Sequence, residues 1–288
     1  MRHAVNALNV TPYEHRHRHA VRDLIFRAYR VHTHLDWQES DQWLEDGEDY
    51  PSRLAWHNSR LQGIIATSAP LNNTCWLRIA CISDQADAQQ VMTTLWESLL
   101  PELRMLGVHT VALLVIRNWI TSYVTPLGFH FTEEIITFRR PQLPIPLDTP
   151  PAGLTIRLTQ PEDLEAILNV DHSAFAAPWQ MEREELRQAE RISASCSVAE
   201  LDGKIVGYEL STLYFDGAHL ARLAVSPEAQ GKGVARSLLI DLLRRFERRG
   251  VYSMTVNTQS SNTRSQHLYT GFGFERTGYD LPVWMVEI

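Results

Sequence analysis

The chain has 288 residues, carries 27 Lys and Arg against 34 Asp and Glu, and has a formal net charge of −7 at pH 7. This length suffices for two domains of ordinary size, each with its own hydrophobic core. The acidic balance argues against a nucleic-acid-binding protein, which ordinarily carries a basic face, so no nucleic-acid partner is expected.

The beginning of the chain shows no targeting signal. Residues 1–6 lack an apolar core, and no stretch approaches the roughly 18 consecutive apolar residues that a membrane span requires. Three unevenly spaced cysteines, Cys75, Cys81 and Cys196, form neither a disulfide framework nor a metal-binding or redox pair. We therefore expect a soluble, cytoplasmic protein without a membrane partner.

The first unusual pattern is the run His15-Arg-His-Arg-His19. Its alternating spacing does not place three imidazoles on one helical face, and the intervening arginines repel a cation. The run predicts a solvated helix start, and no metal site is expected.

The two halves of the chain resemble each other at an offset of 143 residues. This offset aligns residues 77–83 with 220–226 and carries apolar positions of 91–100 onto those of 234–243. Similarity at a fixed long period indicates two copies of one fold. One loop differs, because larger or charged residues replace small ones in the first copy, which predicts that this copy has lost the loop and is non-catalytic. The residues Gln230, Gly231, Gly233 and Ala235 fall on Asp87, Ala88, Gln90 and Met92.

A proline-rich stretch, Pro141–Pro151, separates the two copies. Repeated proline prevents a helix or a central strand and favours an extended linker. We predict a first domain at 1–140, a linker at 141–153 and a second domain at 154–288.

The second half alternates strand-like and helix-like patterns, and the first half follows the same order. Strands are predicted near 154–158, 195–200, 204–214, 217–226, 251–257 and 274–288. Helices are predicted near 161–173, 180–190, 233–249 and 262–271. These elements predict a mixed α/β (α+β) fold, in which each copy is a mostly antiparallel twisted sheet flanked by helices.

A candidate anion site lies between a predicted strand and a predicted helix, at Gln230–Ala235. A strand, a glycine turn and a helix start bring unpaired backbone N–H groups and the positive end of the helix dipole together. Gly231 and Gly233 let the backbone approach a diphosphate without an intervening Cβ. The spacing matches neither the dinucleotide fingerprint nor the phosphate loop that ends in Lys-Ser/Thr.

A second motif, Asn262–Tyr269, reads Asn-x-x-Ser-x-x-Leu-Tyr and precedes Gly273-Phe274. Together with Gln-x-x-Gly-x-Ala at 230–235, it resembles the signature of the GCN5-related N-acetyltransferase (GNAT) superfamily. Ser265 stands where that family usually has alanine. The resemblance covers roughly 154–288, and the repeat makes the chain similar to a tandem type with two GNAT-like domains, of which the N-terminal copy is degenerate.

The resemblance implies an acyltransferase that binds acetyl-coenzyme A (acetyl-CoA) and passes the acetyl group directly to an amine in a ternary complex. A splayed sheet would admit the pantetheine arm, and a backbone N–H near Val225 would face the thioester carbonyl. The resemblance places these residues at the cofactor: Leu223, Ala224, Val225, Gln230, Gly231, Lys232, Gly233, Val234, Ala235, Arg236, Asn262, Ser265 and Tyr269.

Tyr269 is the candidate general acid, because a phenol with an ordinary pKa of about 10 stays protonated at neutral pH and can protonate the departing thiolate. The alternative is a core tyrosine.

Glu209 is the candidate general base and His219 an alternative, although both can be ordinary residues of a half-exposed strand. Asn257 stands where some relatives have a glutamate and cannot act as that base. Asn262 is either a helix cap alone or also a neighbour of the pantetheine.

The acceptor is open at this stage. Residues 175–179 resemble the acceptor-side loop of relatives that acetylate protein N-termini. The tandem arrangement with an impaired first copy resembles that of mycothiol synthases. A small-molecule amine, a protein N-terminus and a lysine are all candidates, and a monomer or homodimer is expected. The first half is predicted to be structural or to shape the acceptor site. A non-catalytic acyl-CoA sensor is the alternative function.

Overall fold

A computed structural model describes residues 8–147 and 149–288. The chain forms two compact units. The first contains residues up to Glu133 together with Leu281–Ile288, and the second contains Glu134–Asp280. Residues 1–6, on which the expectation about targeting rests, lie outside the described residues, as does Asp148 of the predicted linker.

Fourteen strands and eight α-helices make up the regular structure of the described residues. The strands are β1 (Asn9–Thr11), β2 (Arg30–Thr33), β3 (Ser52–His57), β4 (Arg60–Thr67), β5 (Thr74–Ile82), β6 (Thr110–Leu114), β7 (His130–Arg140), β8 (Leu154–Leu158), β9 (Ser195–Leu201), β10 (Lys204–Tyr214), β11 (Gly217–Val225), β12 (Met254–Gln259), β13 (Glu275–Arg276) and β14 (Leu281–Glu287). The helices are α1 (Arg18–Arg27), α2 (Ser40–Asp46), α3 (Ala88–Met105), α4 (Thr121–Val124), α5 (Leu164–Ala174), α6 (Arg183–Ile192), α7 (Val234–Arg248) and α8 (Thr263–Gly271). Among these helices, none is both long and apolar enough to cross a bilayer.

The first unit is a mostly antiparallel sheet with the strand order β1-β3-β4-β5-β6-β14, and β2 pairs with β5. Only the pairing of β5 with β6 is parallel in this described unit. The long helix α3 buries Val91, Leu95 and Leu99 in the main core of the unit. These residues repeat at helical spacing, as the sequence pattern predicts.

The second unit has the corresponding order β7-β12-β11-β10-β9-β8, with β13 beside β7. Its one parallel pairing in the described residues joins β11 to β12. The apolar face of α7 is buried against this sheet, as shown by Leu238, Leu239 and Leu242, which are fully buried. The predicted mixed α/β fold is confirmed in both units.

The two units repeat one topology in register. The parallel ladder of residues 74–76 with 110–112 recurs at 218–220 with 254–256, which is 144 positions later on both strands. Register shifts interrupt the pairing of β3 with β4 and of β4 with β5, and they recur between β9 and β10 and between β10 and β11. Such irregularities tend to be retained within a fold. The internal repeat is therefore a repeat of structure.

Strands β7 and β14 do not lie in the units to which a division at the proline-rich stretch assigns them. Residues 135–140 of β7 pair with β12 in the second unit, whereas β14 pairs with β6 in the first. A division at 141–153 assigns each of these strands to the opposite unit. Apolar alternation marks a strand but does not identify its partner, so the domain limits expected from the linker differ from the compact units by this exchange. The strand predicted at 274–288 is also divided into β13 and β14.

Candidate functional site

The candidate site begins where two parallel strands separate. Strands β11 and β12 pair only over Ala218–Leu220 and Met254–Val256, although β11 continues to Val225. On its other side β11 stays paired with β10, and the N–H of Ser226 still donates to that neighbouring segment at 2.8 Å. Because N–H groups alternate in direction along an antiparallel strand, those of Leu223 and Val225 point away from β10 into the gap. In the described part of the chain, no strand covers this edge, which we call the open edge.

A two-glycine turn follows the open edge. Gly231 and Gly233 have φ angles of +77° and +86°, in the left-handed region that favours glycine. A Cβ on Gly231 would meet no atom within 4 Å, and one on Gly233 would meet only Pro151, at 3.6 Å or more. Gly233 also begins α7 without a side-chain cap. The turn thus offers space and helix-start amides that no capping side chain occupies, which suits a diphosphate.

Gln230 ties this turn to the strand. Its Nε2 donates to the carbonyl oxygen of Val225 at 2.9 Å. Its Oε1 accepts a hydrogen bond from the guanidinium of Arg264, at the start of α8. Arg264 was not predicted, because a basic residue at a variable position of the second motif carries no signal by itself. Its position brings a positive charge next to the turn.

Two basic residues that the resemblance places at the cofactor, Lys232 and Arg236, differ in their surroundings. Lys232 is exposed on the turn. Arg236 is engaged: its Nη2 donates to the carbonyl oxygen of Leu147 at 3.3 Å, and its guanidinium carbon lies 5.1 Å from the ring centre of Phe272. Lys232 is therefore the better placed of the two for a phosphate.

Leu223 links the turn to the second motif. It packs against the apolar cluster that contains Val225 and Val234, and also against the cluster that contains Tyr269 and Phe272. The buried Ala224 and the half-buried Ala235 lie in the same region as the first cluster. The open edge, the start of α7 and helix α8 thus lie side by side, as the resemblance implies.

Asn262 caps α8. Its Oδ1 accepts a hydrogen bond from the N–H of Ser265 at 3.1 Å. The predicted capping role is therefore confirmed, and it accounts for the asparagine at 262 by itself. A contact of either residue with the cofactor stays a prediction.

Tyr269 is buried in α8, with 4% of its surface exposed. Its ring centre lies 6.4 Å from that of Phe138 and 5.6 Å from that of Phe274. Burial raises the pKa of its phenol above the ordinary value of 10.0, so the hydroxyl stays protonated throughout the neutral range. The position is compatible with both predictions, a core tyrosine and a proton donor.

Glu209 does not face a cleft. It is 1% exposed on β10, and its carboxylate accepts hydrogen bonds from Ser195 Oγ at 2.7 Å and from Ser211 Oγ at 2.8 Å. Burial raises its pKa, whereas the serine hydroxyls and Arg245 of α7 lower it. The expected half-exposed position does not fit this location, because a strand sequence does not tell which face of a sheet a helix covers.

His219 lies in the paired part of β11. Its Nδ1 is 2.9 Å from the Oγ1 of Thr255, the residue opposite it on β12. Burial lowers the pKa of His219 to about 4, so its imidazole is neutral at pH 7 and a weak base. Asn257 is exposed further along β12.

A buried polar cluster that the sequence analysis missed holds residues 175–181. Asp171, fully buried in α5, accepts hydrogen bonds from the hydroxyl of Tyr208 at 2.5 Å and from the Nε of Arg222 at 2.6 Å. Arg222 donates through Nη2 to the carbonyl oxygen of Trp179 at 2.5 Å, and its guanidinium carbon lies 4.0 Å from the ring centre of Phe175. We call Asp171, Tyr208 and Arg222 the clamp.

The clamp also holds the far end of this loop. The second carboxylate oxygen of Asp171 accepts from the N–H of Met181 at 3.0 Å. Burial raises the pKa of Tyr208 well above its ordinary range, so its hydroxyl is available as a donor. A carboxylate with three donors is well satisfied despite its burial. A single Asp in a helix and a single Arg on a strand carry no signal of such a network in the sequence.

The first unit lacks the glycine turn and the tyrosine. Helix α3 begins with the N-cap Asp87, whose carboxylate accepts from the N–H of Gln90 at 3.1 Å. At the offset of 143, α3 ends where α7 ends but begins one turn earlier, so its first turn, capped by the Asp87 carboxylate, takes the place of the two-glycine turn. Val124 takes the place of Tyr269, since each carbonyl oxygen accepts from the N–H of a phenylalanine five residues later, at 3.3 and 3.1 Å.

Comparison with known proteins gives a family match and relatives of part of the chain. Residues 164–274 match the Acetyltransferase (GNAT) family. A mycothiol acetyltransferase of Thermomonospora curvata is 32% identical over 165 residues, which cover 54% of this chain and 56% of that protein. The [ribosomal protein bS18]-alanine N-acetyltransferase of Escherichia coli is 30% identical over 120 residues, which cover 42% of this chain and 80% of that protein. The chain thus spans little more than half the length of the first relative.

Solved structures share the fold along nearly the whole chain. A GCN5-related N-acetyltransferase from Sphaerobacter thermophilus aligns with a TM-score of 0.61 and 17% identity, over 97% of this chain and 95% of that one. A tandem GNAT protein from the clavulanic acid biosynthesis pathway aligns with a TM-score of 0.66 and 15% identity, over 98% of both chains. These identities bear on the fold alone. The family match and the relatives show that the chain belongs to the GNAT acetyltransferase family, and the solved structures show a tandem GNAT fold.

Proposed function

We propose that the second unit transfers an acetyl group from acetyl-CoA to a primary amine, by direct attack of the amine on the thioester in a ternary complex. The observation that carries this proposal is the open edge of β11 leading into the two-glycine turn and the start of α7 without a side-chain cap. The N–H groups of Leu223 and Val225 would bind the pantetheine arm as a neighbouring strand would. The amides of residues 231–235, with Lys232 and Arg264 close by, would bind the diphosphate.

Two groups of the second unit would then serve the chemistry. Bound acetyl-CoA supplies an activated thioester, whose carbonyl carbon gains a bond to the amine nitrogen and loses its bond to sulfur. The N–H of Val225 would donate to the carbonyl oxygen as negative charge develops there. Tyr269 would donate a proton to the departing sulfur, because its phenol stays protonated at neutral pH.

The proton released by the amine needs a base other than Glu209, which was predicted from the sequence. Glu209 is buried between two serine hydroxyls, and the lowered pKa of His219 makes it a weak base. We therefore assign the proton to a water molecule at the open edge, from which it passes to solvent.

The acceptor is an amine, and the relatives suggest two kinds. One is named for mycothiol and the other for an alanine of a ribosomal protein. The loop at 175–181, held beside the open edge by Arg222 on β11, would form one wall of the acceptor pocket.

Release of the CoA thiol from acetyl-CoA tests this function. The amine panel contains a peptide that begins with alanine, an internal-lysine peptide with a blocked N-terminus, and a cysteine conjugate of an amino sugar. We expect thiol release with at least one acceptor, and loss of that release in Tyr269→Phe. Calorimetric binding of acetyl-CoA without thiol release from any amine would favour the sensor function instead. Failure to bind acetyl-CoA would refute the proposed site.

A further inference from the structure

The chain segment that follows the first helix takes different positions in the two units. Helices α1 and α5 end in the same way: the N–H of Ala28 donates to the carbonyl oxygen of Leu24 at 3.0 Å, and that of Phe175 to Asp171 at 2.9 Å. Aligned at these bonds, Leu24 corresponds to Asp171, and aligned at the first residues of the two helices, Ile25 does, so the counterpart of Asp171 is apolar in either alignment. Beyond the helix, the first unit continues as strand β2, whereas the second continues as the loop at 175–181.

Strand β2 covers in the first unit the edge that is open in the second. It pairs antiparallel with residues 79–82 of β5. The matching stretch of the second unit is 222–225, because Ile79 pairs with Ala66 at the position where Arg222 pairs with Leu210. The first unit therefore already has a strand of its own where we propose that the second binds the pantetheine arm.

Each residue of the clamp has an apolar counterpart in the first unit. Ile64 matches Tyr208, since the two residues occupy equivalent ladder positions on β4 and β10, and Ile79 matches Arg222. Both isoleucines are fully buried in one apolar cluster. Leu24 of α1 and Val31 of β2 pack against that cluster. Where apolar side chains replace the clamp, the segment after the helix lies on the strand edge.

The clamp forms hydrogen bonds with main-chain groups of the loop that would be needed to pair the loop with β11. Arg222 binds the carbonyl oxygen of Trp179, and Asp171 binds the N–H of Met181. Both groups belong to the loop that corresponds to β2. While they are bound to the clamp, they are not available to form a ladder with β11.

We propose that Asp171, Tyr208 and Arg222 are positioning residues that keep the loop at 175–181 off the open edge of β11 and so hold the acyl-CoA cleft open. This proposal rests on the proposed function of that cleft. The clamp acts through the loop and contacts no reacting atom. Without it, the loop settles on residues 222–225 as β2 does on 79–82, and competes with the pantetheine arm.

The test replaces the two charged residues of the clamp by apolar residues like those of the first unit. The double variant Asp171→Leu with Arg222→Ile removes both charges together, which avoids leaving one of them buried without its partner. We expect acetyl-CoA to bind at least tenfold more weakly by calorimetry. We also expect the amides of Leu223 and Val225 to exchange hydrogen more slowly without cofactor, because the loop now covers them. Tyr208→Phe, which removes one hydroxyl and is the safer variant for folding, should change both quantities in the same direction by about threefold.

A second charged network in the same unit provides the control. Arg157 donates to both carboxylate oxygens of Asp163, at 2.6 and 2.9 Å, and neither residue contacts the loop at 175–181 through this pair. Arg157→Gln with Asp163→Asn should leave affinity within twofold of wild type and exchange at the open edge unchanged. Slower exchange together with weaker binding in the clamp variants alone supports the proposal.

Two results would overturn the proposed role of the clamp. One is a folded clamp variant with wild-type affinity, and the other is weaker binding while Leu223 and Val225 exchange as fast as in the wild type. If wild-type protein binds no acetyl-CoA, the proposed function fails, but the exchange measurement without cofactor still decides whether the clamp holds the loop off the edge.

Discussion

The two units share a fold and differ at two places where a cofactor would bind. In the first unit, Asp87 caps the helix start and β2 covers the strand edge. In the second, Gly233 leaves the helix start without a side-chain cap, and the edge of 222–225 that faces away from β10 has no strand partner in the described residues. The sheet order and register are the same, so the fold does not depend on the site. A few residues decide whether this fold offers a ligand site or fills it.

The largest expected effect concerns Tyr269, whose counterpart in the first unit is Val124. In Tyr269→Phe, turnover should fall by roughly 10² to 10⁴, the usual range for loss of a positioned general acid, while acetyl-CoA affinity is retained. Steady-state turnover and calorimetry measure the two quantities. Tyr252→Phe, at a tyrosine that is 46% exposed, is the control and should behave as wild type. Turnover close to wild type in Tyr269→Phe would show that Tyr269 only packs the core.

The next effect concerns the turn. Gly233→Asp introduces the residue that caps the helix in the first unit, and it should weaken acetyl-CoA binding more than tenfold, or about 1.4 kcal/mol, through repulsion of the diphosphate and loss of helix-start amides. Gly250→Asp is the matched control, because Gly250 has a φ of +75° at the other end of α7 and an open space beside it. It imposes the same backbone strain without touching the turn. Equal affinities in the two variants would remove the diphosphate assignment.

The smallest expected effect concerns Glu209. Because its carboxylate is buried between Ser195 and Ser211, Glu209→Gln should keep turnover within about threefold of wild type, as for loss of an ordinary hydrogen bond. A fall of 100-fold or more with unchanged acetyl-CoA affinity would restore Glu209 as the general base, as predicted from the sequence.

The same variant makes a prediction about pH. Burial raises the pKa of Glu209 in the folded protein, so the folded state binds this proton more tightly than the unfolded state does. That contribution to stability is present at acidic pH and is lost as the pH rises through the raised pKa. Glutamine does not titrate, so the melting temperature of Glu209→Gln relative to wild type should increase from acidic to neutral pH. A constant or decreasing difference would contradict the assigned direction.

Local patterns predicted most of the second unit. The strand at 154–158 and the helix at 234–248 are found within one residue of the predicted limits, because alternating and helical apolar spacing follow from one face of each element being buried. The two motifs located the turn and Tyr269, because the residues of each motif lie close together in the chain. The repeat offset also identified Asp87 among the residues that replace the loop of the site in the first unit.

The features that were missed depend on partners distant in the chain. The strand predicted at 274–288 contains β14, but apolar alternation does not specify that β14 pairs with β6. The clamp joins a helix residue to two residues on different strands, so neither Asp171 nor Tyr208 is unusual among its neighbours in sequence. The covered face of Glu209 is likewise set by α7 rather than by its own strand.

The number and place of cofactor sites test the central claim most directly. Titration of the full chain with acetyl-CoA, followed by hydrogen exchange of the saturated protein, gives both. We predict one site per chain, new protection at residues 223–225 and 230–236, and no change at 79–92, where β2 and Asp87 already occupy the strand edge and the helix start. Two equivalent sites per chain, or new protection of residues 79–92 on addition of acetyl-CoA, would contradict the account.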